Sequence, residues 1–585
     1  MPRPSFVPLQ NPLRTLLAAA CTAGVLGLGL SPWSVAVAAG PAKTAKAAPT
    51  DADAAKSDDG ELTPQVLYQF LFAEIAGQRG QLGLSASAFS DLAKKTRNAS
   101  IARRAAELSL HSRQLDMALE SARLWNELAP DDVAARQTLA NVLVATNRLD
   151  ELSTALVADL ATAGPQLGTL LLRLNRLLAR FPDKLAVQRL VEQVTTPYVS
   201  HPEAHFARSQ AAAAARNPER ANVAIDEALR LRPDWEMAAV FKAQQMERGP
   251  ELVDFLHRFV TANAGAHEAR LAYARALVGE KRYAESREEF TRLLTQFADN
   301  PDIINAVGVL SLQLDDPKAA EVQFKRLLEL GKIDLNPVHF YLGQIAEEGK
   351  RQVEALQHYD KVSGGEHHVS ALLRGAQLLA KEGRIDEARQ RLQKARLVLP
   401  SDAVKLLIAE SQLLRDVGRD QDAFVVLFAG LETQPEQPDL LYELALVAER
   451  LDKMTEAERY FRRLIALKPD SPQGYNALGY SLADRGLRLE EANQLIDKAL
   501  SFSPDDPFIL DSKGWVLFRL GRATEALELL RRAYAKRPDP EIAAHIGEVL
   551  WAMQRRDEAA LIWREAAKAF PSNAVLSATI KRYTP

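Results

Sequence analysis

Apolar side chains are spaced along most of the chain like those on one face of an α-helix. From residue 64 onward they recur three and four positions apart in short segments, as in the run "LTPQVLYQFLFAEIAGQRG" that opens at Leu62. Thr63 suits the N-cap of this first helix, and Pro64 suits its first position. Glycines separate the segments, and prolines end the second helix of a pair because proline cannot continue a helix. The pattern predicts an all-α chain built from pairs of short helices.

The spacing of small residues and prolines repeats from one helix pair to the next. Two adjacent units carry the same four marks at offsets of 34 or 35 residues. The marks and their counterparts are Gly479 and Gly514, Ala492 and Ala526, Ala499 and Ala533, and Pro504 and Pro538. A two-helix unit of about 34 residues resembles the tetratricopeptide repeat (TPR). The resemblance implies a right-handed superhelical solenoid of stacked helix-turn-helix repeats.

The repeat register can be followed from residue 202 to the end of the chain. Predicted units begin near Pro202, Glu236, His267, Pro301, Asn336, Val369, Val404, Pro438, Pro472, Pro507 and Pro540. Divergent units are expected at the end of an array, where one face has no neighbour. The predicted segments are a signal peptide at 1–38, a flexible linker at 39–60, divergent helical repeats at 61–200, a regular TPR array at 201–573 and a C-terminal capping helix at 574–585.

The first 38 residues have the pattern of an export signal. Arg3 and Arg14 supply positive charge, the apolar stretch 15–30 follows, and residues 36–38 form a small-x-small cleavage site. The apolar stretch is shorter than the about 20 residues that a membrane-spanning helix needs. There are two alternatives to a cleaved signal peptide. One is that the segment is retained as a membrane anchor, and the other is lipidation at Cys21, which lies in a weak lipoprotein box. We expect an exported periplasmic protein, or one on the periplasmic face of the outer membrane if Cys21 is lipidated.

Composition narrows the classes of function. The 585-residue chain has a formal net charge of −3, which gives no electrostatic case for binding nucleic acid. Its one cysteine, Cys21, excludes an internal disulfide and a cysteine-based metal site. Residues 39–60 hold almost no large apolar side chain, so burial cannot offset the entropy of ordering them. We expect no cofactor.

The sequence contains no set of reactive groups at a catalytic spacing. The aspartate pairs 131–132, 315–316 and 505–506 stand at turns, where aspartate caps helices, and cation binding is the alternative. His367 and His368 stand in a glycine-containing turn, where we expect solvated side chains and metal binding is the alternative. We predict no catalytic residue, no metal ligand and no enzymatic activity. An enzyme with its site in the divergent region before residue 200 is a third hypothesis, although no nucleophile or base is evident there.

The resemblance to TPR proteins implies a groove lined by the first helix of each pair. Groove positions are the second, fifth, ninth, twelfth and thirteenth of a unit, and aromatic rings with polar groups are typical of binding hot spots. In the last four units these positions predict the partner-binding residues Tyr442, Asn476, Tyr480, Asp511, Trp515, Phe518, Arg519, Glu548 and Trp551. The alternative is that these rings pack between turns of the superhelix. The acidic Asp511 after Asn476 does not match the Lys, Asn and Arg clamp with which some family members bind a C-terminal carboxylate.

The opening segment and the terminal repeats together resemble a narrower family. The runs "LYQFLFAEIAGQRG" and "ILDSKGWVLFRLGR" are most similar to outer-membrane TPR lipoprotein adaptors that bind a carboxyl-terminal processing protease. The resemblance implies an adaptor that holds this protease and presents peptidoglycan hydrolases to it. The alternative is a component of an envelope machine that exports or assembles polysaccharide or pili. In both cases we expect proteins or peptides as partners, and no nucleic acid.

Overall fold

The protein is built from short helices, as the apolar spacing predicts. The computed structural model describes residues 63–331 and 333–583. These residues form 31 α-helices and no strand, which confirms the all-α fold class. Their contacts divide them into two compact units, 63–316 and 317–583. Within each unit, consecutive helices pack against each other as helix pairs.

The first unit contains fifteen α-helices and short 3-10 turns at 164–166 and 196–198. The helices are α1 Pro64–Gln78, α2 Leu82–Thr96, α3 Ala99–His111, α4 Leu115–Leu128, α5 Val133–Ala145, α6 Leu149–Thr162, α7 Leu167–Leu178, α8 Lys184–Thr195, α9 Pro202–Ala214, α10 Pro218–Leu231, α11 Glu236–Gln245, α12 Pro250–Ala262, α13 His267–Gly279, α14 Tyr283–Leu294 and α15 Pro301–Gln313.

The second unit contains sixteen α-helices and a 3-10 turn at 400–402. The helices are α16 Pro317–Leu330, α17 Asn336–Glu348, α18 Gln352–Asp360, α19 His368–Lys381, α20 Ile385–Val398, α21 Ala403–Asp416, α22 Asp420–Thr433, α23 Pro438–Arg450, α24 Met454–Leu467, α25 Pro472–Asp484, α26 Leu489–Phe502, α27 Pro507–Arg519, α28 Ala523–Lys536, α29 Pro540–Ala552, α30 Arg556–Ala569 and α31 Ala574–Tyr583.

Helices begin where the turn residues of the sequence indicate. The Thr63 hydroxyl accepts a hydrogen bond from the backbone N–H of Val66 at 3.3 Å, and Pro64 is the first helical residue. The carboxylates of Asp132 and Asp506 accept backbone N–H groups of the first turns of α5 and α27 at 2.8 Å. These contacts satisfy donors that have no partner within the helix. They confirm helix capping by one aspartate of each pair, Asp132 of 131–132 and Asp506 of 505–506.

Glycines set the distance between the two helices of a pair. A Cβ atom on Gly479 would lie 2.6 Å from Ile496 Cγ1, and one on Gly514 would lie 2.6 Å from Leu530 Cγ. Both distances are far below van der Waals contact, so each helix pair depends on the missing side chain. Ala526, at the matching small position of α28, is fully buried. The predicted role of the small residues is therefore confirmed by packing distances.

The last helix covers one end of the second unit. Helix α31 packs against α29 and α30, with Leu576 and Thr579 buried. It lies within the segment where the sequence predicts a capping helix. The predictions for the signal peptide, the linker and Cys21 fall on residues 1–62, outside the described part of the chain.

None of the helices in the described residues is by itself both long enough and apolar enough to cross a bilayer. One bent pair, Leu149–Thr162 with Gly164–Leu178, passes the combined test of length and composition.

Replacement of Gly514 by alanine should destabilise the second unit. The new methyl group would meet Leu530 and the backbone oxygen of Ala526, which a side-chain rotation cannot move away. Overpacking of this kind costs about 1–3 kcal/mol. We expect a lower midpoint in thermal and urea unfolding of Gly514→Ala.

Gly364→Ala is the matched control, since no atom lies within 4 Å of a Cβ atom built on Gly364. This variant should unfold like the wild type. Equal stability of Gly514→Ala and the wild type would contradict the importance of this close approach.

Candidate functional site

The nine predicted groove residues all lie on the first helices of the last four pairs. They are Tyr442 on α23, Asn476 and Tyr480 on α25, Asp511, Trp515, Phe518 and Arg519 on α27, and Glu548 and Trp551 on α29. Asp511, Trp515 and Glu548 are buried, and the other six are half-buried. Much of this surface is therefore packed against neighbouring side chains of the same unit.

A histidine that the sequence pattern did not single out contacts three polar or aromatic side chains on two other helices. His545 on α29 places Nδ1 2.9 and 3.1 Å from the two carboxylate oxygens of Asp511. Its Nε2 lies 3.4 Å from the Tyr480 hydroxyl, and its ring stacks on Trp515 with 4.3 Å between the ring centroids. We call these residues, together with Glu541, the C-terminal polar cluster.

The cluster favours a charged histidine. Burial alone would lower the pKa of His545, but the Asp511 carboxylate raises it above its ordinary value. The pKa of Tyr480 lies well above its ordinary value, first because of burial and then because of nearby carboxylates such as Asp484. A buried ion pair therefore joins α27 to α29, and neutral Tyr480 lies at its edge.

The position of His545 explains why sequence analysis missed it. His545 is the sixth residue of its unit, one position beyond the fifth, where groove side chains are expected. The only signal is a single histidine within the apolar run "EIAAHIGEVLW". A histidine in such a run does not reveal which side chain it contacts, because its contacts come from other helices.

Glu541 is the most strongly perturbed acid of the cluster. Burial raises its pKa to about 7, and the neighbouring Asp539 and Asp511 carboxylates add to this effect, while His545 opposes it. Glu541 lies in the first turn of α29. Its charge therefore changes near neutral pH.

Helix α31 covers the last two predicted groove residues. The Tyr583 hydroxyl donates to a Glu548 carboxylate oxygen at 3.1 Å. The Tyr583 ring lies 5.7 Å from the Trp551 ring and 5.5 Å from the Trp563 ring. At this end of the face, the chain's own terminal helix already occupies the position that a partner would take.

Two polar atoms on the same face are buried without a hydrogen-bond partner in the described residues. They are the side-chain oxygen Oδ1 of Asn476 on α25 and the ring nitrogen Nε1 of Trp515 on α27. One is an acceptor and the other is a donor. Buried polar atoms are nearly always paired in proteins, so these two atoms are unusual features of this face.

The second candidate surface is on α1, in the first unit. Only Ala73 and Ala76 of this helix are buried, and the Ser85 hydroxyl of α2 donates to the Ala73 carbonyl at 2.7 Å. Its exposed large apolar side chains are Leu67, Tyr68, Phe70, Leu71, Phe72 and Ile75. The helix therefore attaches by its small residues and by the edge contact of Phe70 with Phe89, 5.6 Å between ring centroids, and its large side chains remain mostly exposed. We call these six side chains the α1 surface.

The prediction of a solvated histidine turn is wrong for His367. The His367 side chain is 17% exposed and stacks on the Phe340 ring, with 4.4 Å between centroids. Burial lowers the pKa of His367. Among the described residues, no three His, Cys, Asp or Glu side chains are already placed to hold a metal ion.

Comparisons with known proteins identify related chains. A family model described as tetratricopeptide repeat matches residues 426–472, 442–507 and 512–574. The TPR repeat-containing protein PA4667 of Pseudomonas aeruginosa is 32% identical over 493 residues, covering 84% of this chain and 83% of that protein. The type IV pilus assembly protein PilF of the same bacterium is 29% identical over 172 residues, covering 28% of this chain and 66% of PilF. The crystal structure of the APC/C hetero-tetramer Cut9-Hcn1 covers 89% of this chain and 97% of the matched chain, with 15% identity and a TM-score of 0.31.

Replacement of Glu541 by glutamine should stabilise the second unit at alkaline pH. A raised carboxyl pKa means that folding disfavours the ionised form, so stability is lost as pH rises from the ordinary value of 4.5 through about 7. Glutamine imitates the neutral form. We expect the thermal midpoint of Glu541→Gln to equal that of the wild type at pH 5 and to exceed it at pH 8, by on the order of 1 kcal/mol in stability.

The exposed Glu528 on α28 supplies a control. The variant Glu528→Gln should show the same small difference from the wild type at both pH values. If Glu541→Gln is no more stable than the wild type at pH 8, the buried carboxyl does not titrate as inferred.

Proposed function

The chain belongs to the tetratricopeptide-repeat proteins, and on that premise we propose that it is a non-catalytic scaffold that binds partner proteins in the bacterial envelope. Proteins of this class generally bind proteins or peptides on the extended surfaces of their stacked helices. We further propose export to the periplasm, with outer-membrane association if Cys21 is lipidated.

The observation that carries the proposal is the α1 surface. Terminal repeats need a polar outer face to remain soluble, because no further repeat covers them. Helix α1 has the opposite arrangement, with six large apolar side chains exposed and only alanines buried. A contiguous apolar surface of this kind marks an interaction site. Another protein in the assembled complex would cover it.

The finer form of the proposal is an adaptor for a carboxyl-terminal processing protease. In this form the α1 surface binds the protease, and the groove face on α25 and α27 binds peptidoglycan hydrolases. The unpaired acceptor on Asn476 and the unpaired donor on Trp515 support the second part. An extended polypeptide offers one N–H and one C=O per residue, and these groups would satisfy both atoms. Two separate surfaces would allow one scaffold to hold both proteins.

A second candidate is a role in pilus assembly. It is favoured by the similarity to PilF, a type IV pilus assembly protein, over 172 residues. Under this alternative, the partners recovered with the chain would be pilus or export components. The same affinity experiments distinguish the two candidates.

Polar substitutions on the α1 surface should abolish protease binding. Leu67 and Leu71 lie one helical turn apart and are both exposed, so Leu67→Gln with Leu71→Gln removes apolar contact without disturbing the core. Glutamine is also a good helix former. In affinity purification from envelope extract, we expect the variant to recover roughly a hundredfold less processing protease than the wild type, or none, since two leucines buried by a partner together contribute about 3 kcal/mol or more.

Leu397→Gln on α20 is the matched control, because Leu397 is an exposed leucine in the other unit. It should leave protease recovery unchanged. Recovery of no processing protease by the wild type would refute the adaptor role, and recovery of pilus proteins instead would support the alternative.

Removal of the unpaired polar atoms should weaken the binding of hydrolases and not of protease. Asn476→Ala deletes the acceptor, and Trp515→Phe deletes the donor while keeping a ring beside His545. Asn476→Ala should not lower the thermal midpoint, because a buried polar atom without a partner destabilises the free protein. Trp515→Phe should lower the midpoint modestly, because the smaller ring leaves a cavity. We expect several-fold lower recovery of peptidoglycan hydrolases, measured by quantitative mass spectrometry.

Gln494→Ala on α26 is the control, since Gln494 is an exposed amide on the second helix of the same pair. Unchanged hydrolase recovery in both Asn476→Ala and Trp515→Phe would exclude this part of the face from partner binding.

A further inference from the structure

Two histidines face each other between the helices of one pair in the second unit. His339 lies on α17 and His358 on α18, and their Nδ1 atoms are 3.0 Å apart. Their ring centroids are 5.3 Å apart, with an angle of 38° between the ring planes. Both side chains are half-buried. The contact thus brings two imidazole nitrogens together at a partly protected position.

Both rings are neutral near pH 7. Burial lowers the pKa of His339 to about 4, and the neighbouring His358 and Lys361 add to the effect. Burial also lowers the pKa of His358. Neutral imidazole is the form that ligates metal ions.

A carboxylate lies one helical turn before His358. Glu354 occupies the same face of α18, since residues four apart are neighbours on a helix surface. Among acidic groups, its carboxylate has the largest effect on the pKa of His358 and raises it, against the larger lowering by burial. Its carboxylate now accepts from Arg351 Nη1 at 2.9 Å. Arg351 makes two further bonds to Glu321, at 2.9 and 2.8 Å, so Glu354 can turn away without leaving the guanidinium unpaired.

We propose that His339, His358 and Glu354 form a binding site for a divalent transition-metal ion, with Zn²⁺ as the best fit. Two imidazoles and one carboxylate are a common zinc ligand set, and water completes the tetrahedron. Zinc–nitrogen bonds of about 2.0–2.1 Å in a tetrahedron place two nitrogens about 3.3 Å apart. The observed 3.0 Å needs only a small opening of the two rings.

Three cationic side chains outnumber two carboxylates around the site. Glu321 on α16 and Glu354 on α18 act on His358, and Lys325 and Lys361 oppose them. Arg351 pairs with both carboxylates. Binding of a cation therefore depends on the ligand bonds and not on a negative field. The ion would join α17 to α18, and the site is independent of the scaffold role proposed above.

The test is a titration of the tag-free, chelator-treated full chain with Zn²⁺ by calorimetry at pH 7. We expect saturable binding of one ion per chain by the wild type. His358→Asn should weaken this binding by roughly tenfold or more, because it removes a ligand, and Glu354→Gln should weaken it by a smaller factor. Replacement of Zn²⁺ by Co²⁺ should give the visible absorption of tetrahedral cobalt in the wild type and not in His358→Asn.

His201→Asn is the control for adventitious histidine binding, because His201 is exposed and lies in the first unit. It should bind Zn²⁺ like the wild type. Equal binding by the wild type and by a variant that combines His339→Asn with His358→Asn would overturn the site. The absence of saturable binding by the wild type would do the same, and the histidine pair would then be a hydrogen bond between neutral rings.

Discussion

The close approach of paired helices at small residues is the constraint on which the rest of the structure depends. At Gly479, Gly514 and Gly547 an added Cβ atom would lie 2.6, 2.6 and 2.0 Å from a side chain of the partner helix. Each pair buries its apolar face only against its neighbours. No large central core is therefore available to accommodate an oversized side chain. A local clash is therefore transmitted to the adjacent pair, and in the last three pairs these glycines fix how closely the two helices approach.

Once the first helices are held close together, their polar side chains interact across units. Asp511 and His545 are 34 residues apart in the sequence and form a buried ion pair joined by Tyr480 and Trp515. A buried pair of this kind adds little net stability, because removing two charges from water offsets their attraction. Its effect is to hold α25, α27 and α29 in one register. The candidate groove face is thus partly rigid before any partner binds.

The terminal helices at the two ends of the described chain differ in how their apolar side chains are covered. At the C-terminal end, α31 packs against the last pair and covers Glu548 and Trp551 with Tyr583. At the N-terminal end, α1 leaves its large apolar side chains exposed. The first arrangement completes the unit, whereas the second leaves a face that favours association. This asymmetry is the physical basis for placing a partner protein on α1.

The helices, their pairing and the small residues between them can be predicted from the amino-acid pattern, because they follow from local periodicity and from the offset between Gly479 and Gly514. The pattern also predicted candidate groove positions, counted from the start of each unit, and these lie on the first helices of the last four pairs. It could not determine that Asp511 is buried against His545, or that His339 meets His358, because such contacts join residues from different helices. Only the tertiary structure decided which side chains are covered and which remain free, since burial depends on the neighbours that packing brings together.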